Sequence, residues 1–161
     1  MNPHSAQNSN KIEIERKFLL HKIPFNLDNY TQLEIEQAYV SVDPTIRLRR
    51  IGREFFLTVK QGLALVRTEV EFPITEQQYR HLWGKIETNV IRKTRILVPL
   101  DLLTAELDIY HGSLDGLMTV EVEFKSLEDA LAFIPPNWFG EDVSQDPKYT
   151  NSMLALNDNI C

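Results

Sequence analysis

The chain has 161 residues, enough for one domain with its own core, and carries a formal net charge of −6 with 23 acidic against 17 basic side chains. An acidic balance of this size argues against a general nucleic-acid surface, and a single cysteine, Cys161, excludes an intrachain disulfide framework and favours a reducing compartment. Met1 to Asn10 is polar, with neither a basic leader nor an apolar run of signal length, and no later run approaches membrane-spanning length, so the expectation is a soluble, cytoplasmic protein with a short disordered tail at 1–10 and a single domain over 11–161.

The first predicted element is a strand, Lys11 to Leu20, reading KIEIERKFLL. Side chains two apart in a strand share a face, so Glu13, Glu15 and Lys17 lie together while Ile12, Ile14 and Phe18 take the other side. Further strands are predicted at Ile35 to Val42, Thr45 to Ile51, Phe55 to Lys60, Val66 to Phe72, Asn89 to Val98, Thr104 to Tyr110 and Leu117 to Lys125, with Asp43-Pro44, Gly52, Gly62 and Pro73 as breaks. Thr75 and Gln78 form a capping-box signature that opens a helix over Thr75 to Ile86. Ser126 caps a second helix, Leu127 to Ile134, stopped by Pro135-Pro136, and a third is expected from Lys148 to Leu156.

Charge alternates with apolarity along nearly every strand. Arg47 pairs in parity with Arg49, Arg67 with Glu69 and Glu71, Lys93 with Arg95, Glu106 with Asp108, and Glu121 with Glu123 and Lys125, while Lys60 follows Thr58 and Phe56. The opposite faces carry Ile46 and Leu48, Leu57 and Val59, Leu107 and Ile109, then Val120, Val122 and Phe124. Two architectures satisfy this pattern: an apolar-filled barrel or sandwich solvated on its charged side, or a wide barrel with the charges in its lumen. The helices favour the second, because Leu82, Trp83 and Ile86 in one, and Leu127, Leu131 and Ile134 in the next, need an apolar outer wall to dock on.

A lumen holding the bases Lys17, Arg47, Arg49, Lys60, Arg67, Lys93 and Arg95 with the acids Glu13, Glu15, Glu69, Glu71, Asp108, Glu121 and Glu123 is costly unless the charges are paired or neutralised by a ligand. A polyphosphate carried with a divalent cation satisfies both signs, and hard oxygen donors without a Cys or His cluster point to Mg²⁺ or Mn²⁺. On this reading Glu121→Gln and Arg49→Ala should each relieve like-charge crowding while abolishing activity.

The ordered set Glu13-x-Glu15-x-Lys17, Arg47 to Arg49, Lys60, RTEVE at Arg67 to Glu71, KTR at Lys93 to Arg95, ELD at Glu106 to Asp108 and VEVEF at Val120 to Phe124 resembles the triphosphate tunnel metalloenzyme (CYTH) superfamily. The tail PPNWFGEDVSQDPKYTN is similar to that of short bacterial members acting on inorganic tripolyphosphate. The resemblance implies a mainly β fold: an eight-stranded antiparallel tunnel, closed or C-shaped, with a charged lumen and helices packed outside. It further implies phosphate binding by Lys17, Arg47, Arg49, Lys60, Arg67, Lys93 and Arg95, with Lys148 from a last helix that plugs the tunnel. The metal would be held by Glu13, Glu15, Asp108, Glu121 and Glu123, with Glu69 or Glu71 helping.

Lys17, Tyr39 and Lys93 are the candidates for catalysis. The resemblance implies that Tyr39 lies near Lys17, where it could tune proton transfer, with packing in the core as the alternative, and cation crowding would lower the pKa of Lys93 or Lys17 enough for one to act as a base. The expected activity is metal-dependent hydrolysis of tripolyphosphate to pyrophosphate and phosphate, without nucleic-acid or membrane partners. Alternatives are a nucleoside or thiamine triphosphatase, a class IV-type adenylyl cyclase, or a polyphosphate-binding module without turnover. Asn8-Ser9-Asn10 stands where such cyclases carry a histidine-phenylalanine element, which lowers that alternative. Trp138 is read as packing, with stacking on an organic ring as the lesser option. The sequence leaves the oligomeric state open.

Overall fold

The computed structural model describes residues 11–63 and 66–157, with the backbone alone at 11, 62, 63, 66 and 67. The expected disorder of 1–10 lies outside the described residues, as does Cys161. The described residues form β1 (Lys11–Leu19), β2 (Thr31–Val42), β3 (Thr45–Ile51), β4 (Glu54–Leu63), β5 (Val66–Ile74), α1 (Glu76–Trp83), β6 (Ile91–Leu100), β7 (Leu103–His111), β8 (Met118–Glu123), α2 (Leu127–Ala132) and α3 (Asn151–Leu156). The eight strands close into one barrel in the order β1-β5-β4-β3-β2-β6-β7-β8, each neighbour antiparallel. The tunnel is therefore closed rather than C-shaped.

Tertiary pairing lengthens several strands beyond their sequence signals, and β4 runs on through the expected break at Gly62, which pairs with Arg67 of β5. β2 begins at Thr31 because Thr31 to Gln37 run alongside Leu97 to Ile91 of β6. β5 continues through Pro73, which faces Phe56 of β4 but lies past the stretch of β5 that pairs with β1, so its missing N–H leaves no ladder bond unmade on that side. Pro99 sits the same way in β6, paired to Thr104 of β7 beyond the part of β6 that meets β2.

The apolar faces point outward, as the helices required. Ile14, Phe18, Leu20, Ile96, Leu107, Val120, Val122 and Phe124 form one core on the outer wall, with Ala130 of α2 and Phe139 packed over it. Each such side chain removed from water contributes about 1.5–3 kcal/mol. α1 keeps its expected capping box, Thr75 with Gln78, and lays Tyr79 against Phe55 of β4 at 4.8 Å between ring centres. It ends at Trp83 rather than Ile86, with Gly84 as its cap.

The docking residues of α2 are not those the sequence suggests. Leu127, Leu131 and Ile134 are 43, 69 and 87% exposed, and the helix instead sets Ala130 on the wall. The reason is its length: α2 stops at Ala132, so Phe133 leaves the helical path and inserts beside Phe124, 5.1 Å between ring centres. The third helix also starts later than expected. Pro147–Tyr149 form a 3-10 turn, Thr150 caps α3 through the Met153 N–H, and only 151–156 are α-helical. α3 lies across one end of the barrel, where Leu154 and Ala155 pack with Tyr39, Ile91, Tyr110 and Leu114. Among the described residues no helix is long and apolar enough to cross a membrane.

Candidate active site in the barrel lumen

Because the apolar side chains face out, strand parity delivers the charged ones to the interior, where they enclose a cavity of about 520 Å³. β1 contributes Glu13, Glu15 and Lys17; β2 adds Tyr39, β3 Arg47 and Arg49, β4 Lys60, β5 Glu69, β6 Lys93 and Arg95, and β8 Glu121 and Glu123. Val143 to Ser152 supplies the lining at one end, where the 3-10 turn and the start of α3 cross the mouth.

Three expected site residues lie elsewhere or are set back. Asp108 is fully buried behind Lys93 and Arg95, and Glu71 stands behind Arg49 and Thr58. Lys148 is 70% exposed with its Nζ 3.9 Å from Asp146, and it is the neighbouring Pro147 and Tyr149 that face the cavity. The Arg67 side chain lies outside the described residues; its backbone pairs with Glu13 of β1 and Gly62 of β4.

The lumen is wired as cation–carboxylate bridges. Lys17 Nζ lies 2.7 Å from Glu121 and donates to the Tyr149 carbonyl at 2.7 Å. Lys60 reaches both Glu13 and Glu69 at 2.7 Å, and Arg49 reaches Glu71 at 2.5 Å. Arg95 grips Asp108 with two nitrogens at 2.7 Å, touches Glu121 at 3.1 Å and bonds Glu106, while Lys93 meets Asp108 at 2.5 Å. Not every donor is used: among the described residues, the Nε atoms of Arg47 and Arg49 are buried without a hydrogen-bond partner. Buried donors left unmade cost about 1–3 kcal/mol each, so these two nitrogens favour an incoming acceptor.

The electrostatics separate the groups by role. Burial, reinforced by Glu121 and Glu13, raises Glu15 from 4.5 to about 7. Glu121 goes the other way despite burial, because Lys17 and Arg95 hold it well below the usual carboxylate range. Asp108 is lowered likewise, by Arg95 and Lys93 acting against its burial. Burial pulls Arg49 down to about 10, and neighbouring Arg47 adds to the effect.

For the two lysines the crowding expectation divides. Burial lowers Lys93 to about 8, with Arg95 pushing the same way against Asp108. Lys17 is raised, because Glu121 and Glu15 outweigh its burial, so it stays a cation. The expected relief of crowding in Glu121→Gln is corrected in the same way, since this carboxylate is held by cations at 2.7 and 3.1 Å.

Tyr39 lines the cavity, is buried, and accepts a hydrogen bond at 3.3 Å from Gln37, two residues along the same face. Gln37, Glu106 and Tyr110 are not among the site residues expected from sequence. Gln37 has the parity of Tyr39 and Tyr110 that of Asp108, which was the available signal. Tyr110 donates to Asn151 of α3 at 2.7 Å and sets its ring 5.4 Å from Lys93 Nζ. Trp138 packs on the outer wall between Phe25 and Phe139, at 5.3 and 4.5 Å, and does not face the cavity.

The chain matches no family model. It is 43% identical over 149 residues to an inorganic triphosphatase of Nitrosomonas europaea, covering 89% of this chain and 97% of that protein. It is 31% identical over 154 residues to an inorganic triphosphatase of Acetivibrio thermocellus, covering 90% and 94%. Among solved structures, a crystal structure of an inorganic triphosphatase superposes with a TM-score of 0.67 at 39% identity, covering 90% of this chain and 95% of the other. A putative adenylate cyclase from Bacillus halodurans shares the fold, with a TM-score of 0.58 at 17% identity over 76% of this chain and 85% of that one. With this closed tunnel and these relatives, the chain belongs to the inorganic triphosphatase family of the triphosphate tunnel (CYTH) superfamily.

Proposed function

We propose that this chain hydrolyses inorganic tripolyphosphate to pyrophosphate and orthophosphate inside the tunnel, in a reaction that requires Mg²⁺ or Mn²⁺. The observation that carries the reading is the pair Arg47 and Arg49: adjacent on one face, crowded against each other, each with a buried Nε that lacks an acceptor among the described residues. A phosphate chain supplies acceptor oxygens and negative charge at that place, and arginine matches phosphate oxygens with a fork of donors. Lys17 and Arg95 offset charge as it develops, and Lys93, lowered to about 8, is suited to take a proton from water at alkaline pH.

The donor set is chemically suited to a hard divalent ion. Glu15 and Glu123 are directly opposed across the β1–β8 pair, with Glu13 next along β1, and all three line the cavity. Burial first, and then the neighbouring Glu121 and Glu13, raise the pKa of Glu15, so its charged form gains from a cation beside it. Among the described residues no three His, Cys, Asp or Glu side chains converge closely enough to enclose an ion, since Glu13, Glu69, Glu106 and Glu121 are turned to lysine or arginine. Glu13, Glu15 and Glu123 would hold the ion, with Glu69 and Glu121 within the same cavity. Such an ion polarises phosphoryl oxygens and shields charge in transfer to water.

A reducing, cytoplasmic setting is supported by the single cysteine of the sequence. The test is phosphate release from tripolyphosphate, pyrophosphate, ATP and thiamine triphosphate, with Mg²⁺ or with a chelator, from neutral to alkaline pH. Mg²⁺-dependent release mainly from tripolyphosphate is expected. Preferential turnover of an organic triphosphate, cyclic nucleotide from ATP, or binding without turnover would each replace the proposal.

A further inference from the structure

Arg16 interrupts the apolar outer face of β1. Between Ile14 and Phe18 a hydrocarbon would pack with less loss of hydration, yet the guanidinium is accommodated there with a side chain only 17% exposed. Its donors go to three places. Nε and Nη2 bond Asp142 Oδ2 at 3.1 and 2.6 Å, and Nη1 bonds the carbonyls of Ala130 and Phe133 at 3.0 and 2.9 Å, at the C-terminal end of α2. The guanidinium carbon lies 5.0 Å from the centre of the Phe18 ring.

Asp142 belongs to a strap, Gly140 to Ser144, that runs along the end of β1. Gly140 N–H donates to the Leu19 carbonyl at 2.9 Å, Leu19 N–H to the Glu141 carbonyl at 2.8 Å, and Val143 N–H to the Lys17 carbonyl at 2.8 Å. The other oxygen of Asp142 accepts from the Ser144 N–H at 2.9 Å and from its hydroxyl at 2.5 Å; Ser144 Oγ in turn accepts the Lys17 N–H at 2.9 Å. The approach is close enough to demand glycine: a Cβ at Gly140 would stand 2.7 Å from the Leu19 carbonyl oxygen, a backbone atom fixed in the barrel wall. Five residues beyond Ser144, the chain has passed over the mouth, and the Tyr149 carbonyl receives the Lys17 ammonium at 2.7 Å.

We propose that Arg16 is a positioning residue: from outside the barrel it locks the Gly140–Ser144 strap onto β1, and the strap places the Tyr149 carbonyl on the Lys17 ammonium inside. Lys17 is thus fixed from both ends, its backbone by the strap and its ammonium by Glu121 and the chain that the strap leads into the tunnel. The outer-wall arginine and the lumen lysine are adjacent in sequence because the pleat sends them to opposite faces of one strand. The relevance to catalysis rests on the proposed function; the positional coupling does not.

Three variants loosen the strap by different means: Arg16→Met, Asp142→Asn and Gly140→Ala. Arg80→Ala, which removes the exposed Arg80–Glu76 pair of α1, is the control. Each protein is acetylated with a limiting amine-reactive ester, and Lys17 and Lys93 are followed by mass spectrometry beside kcat/KM for tripolyphosphate. Opening of the strap is expected to speed Lys17 acetylation by about fivefold or more, the factor for about 1 kcal/mol of local protection, with Lys93 unchanged and kcat/KM falling in parallel. Unchanged Lys17 protection in all three variants overturns the proposal. So does an equal gain at Lys93, because that reports global loosening. A wild-type protein inert toward tripolyphosphate removes the proposed function and leaves the labelling comparison intact as a test of the strap.

Discussion

Glu15→Gln should stabilise the metal-free protein at pH 8 and lose that advantage in acid. The carboxyl is raised from 4.5 to about 7, first by burial and then by Glu121 and Glu13, with Lys60 and Lys17 offsetting part of the effect. A folded-state pKa above the unfolded one means that the folded form retains its proton longer. The charge penalty is absent below about pH 4.5, grows as pH rises through about 7 and is complete by pH 8. Its upper bound is about 3 kcal/mol at about 1.4 kcal/mol per pH unit, which for a chain of this size is a rise of roughly 6–12 °C in Tm. Glutamine keeps the shape and removes the charge. Urea denaturation of wild type and variant in chelator, from pH 4 to pH 8.5, should give curves that meet at the acid end and diverge through neutrality. A gain independent of pH, or no gain at pH 8, would refute the idea that burial, reinforced by the neighbouring carboxylates, makes the charged form of Glu15 costly. Activity should move oppositely, falling as stability rises, because the same carboxylate is assigned to the metal.

Arg49→Ala should lower kcat/KM for tripolyphosphate at least about tenfold while changing stability by less than about 1 kcal/mol; Glu71 keeps Thr58 at 2.8 Å and Arg47 at 3.6 Å, and relief of the Arg47 repulsion offsets the lost pair. Phosphate-release kinetics and a thermal melt on one preparation check both halves. Asp108→Asn should destabilise by about 3–5 kcal/mol by urea titration, since it leaves Lys93 and Arg95 buried without their shared counter-ion. On α2, Leu131→Ser should stay within about 0.5 kcal/mol of wild type, its side chain being 69% exposed, whereas Phe133→Ala should cost about 3–5 kcal/mol through the ring contacts it makes with Phe124 and Phe139. Equal losses at the two positions would refute the assignment of Phe133 as the anchor.

Much of this arrangement was legible in the alternation of side chains, because a strand's two faces are fixed by parity alone. Glu13, Glu15 and Lys17 reach the lumen for that reason, and so do Arg47, Arg49, Lys93 and Arg95. Depth along the strand is not fixed by parity. Asp108 and Glu123 both have lumen parity, yet one is sealed behind two cations and the other is exposed, a difference set by barrel register and by what crosses the mouth. Helix docking failed for a related reason. The spacing of Leu127, Leu131 and Ile134 identified a face, but the helix is six residues long and the anchoring ring follows its end. Arg16 passed as a gap in an apolar face, because its partner Asp142 is 126 residues away and no local pattern links them.

The charge balance of the lumen bears on what the tunnel accepts. Lys17, Arg47, Arg49, Lys60, Lys93 and Arg95 are met among the described lining residues by Glu13, Glu15, Glu69, Glu106, Glu121, Glu123 and Asp146, so the resting cavity has no surplus of positive charge. Apart from the open Nε donors of Arg47 and Arg49, a polyanion entering alone meets cations already bridged to glutamates, and the carboxylates it frees then repel it. Glu13 and Glu69, both on Lys60 at 2.7 Å, are the clearest case. Entering together with divalent cations, the same chain brings positive charge to the carboxylates it displaces, and both sets of side chains exchange one partner for another. On the proposed function, the salt-bridged lumen would therefore select against free anions and would couple occupancy by phosphate to occupancy by metal.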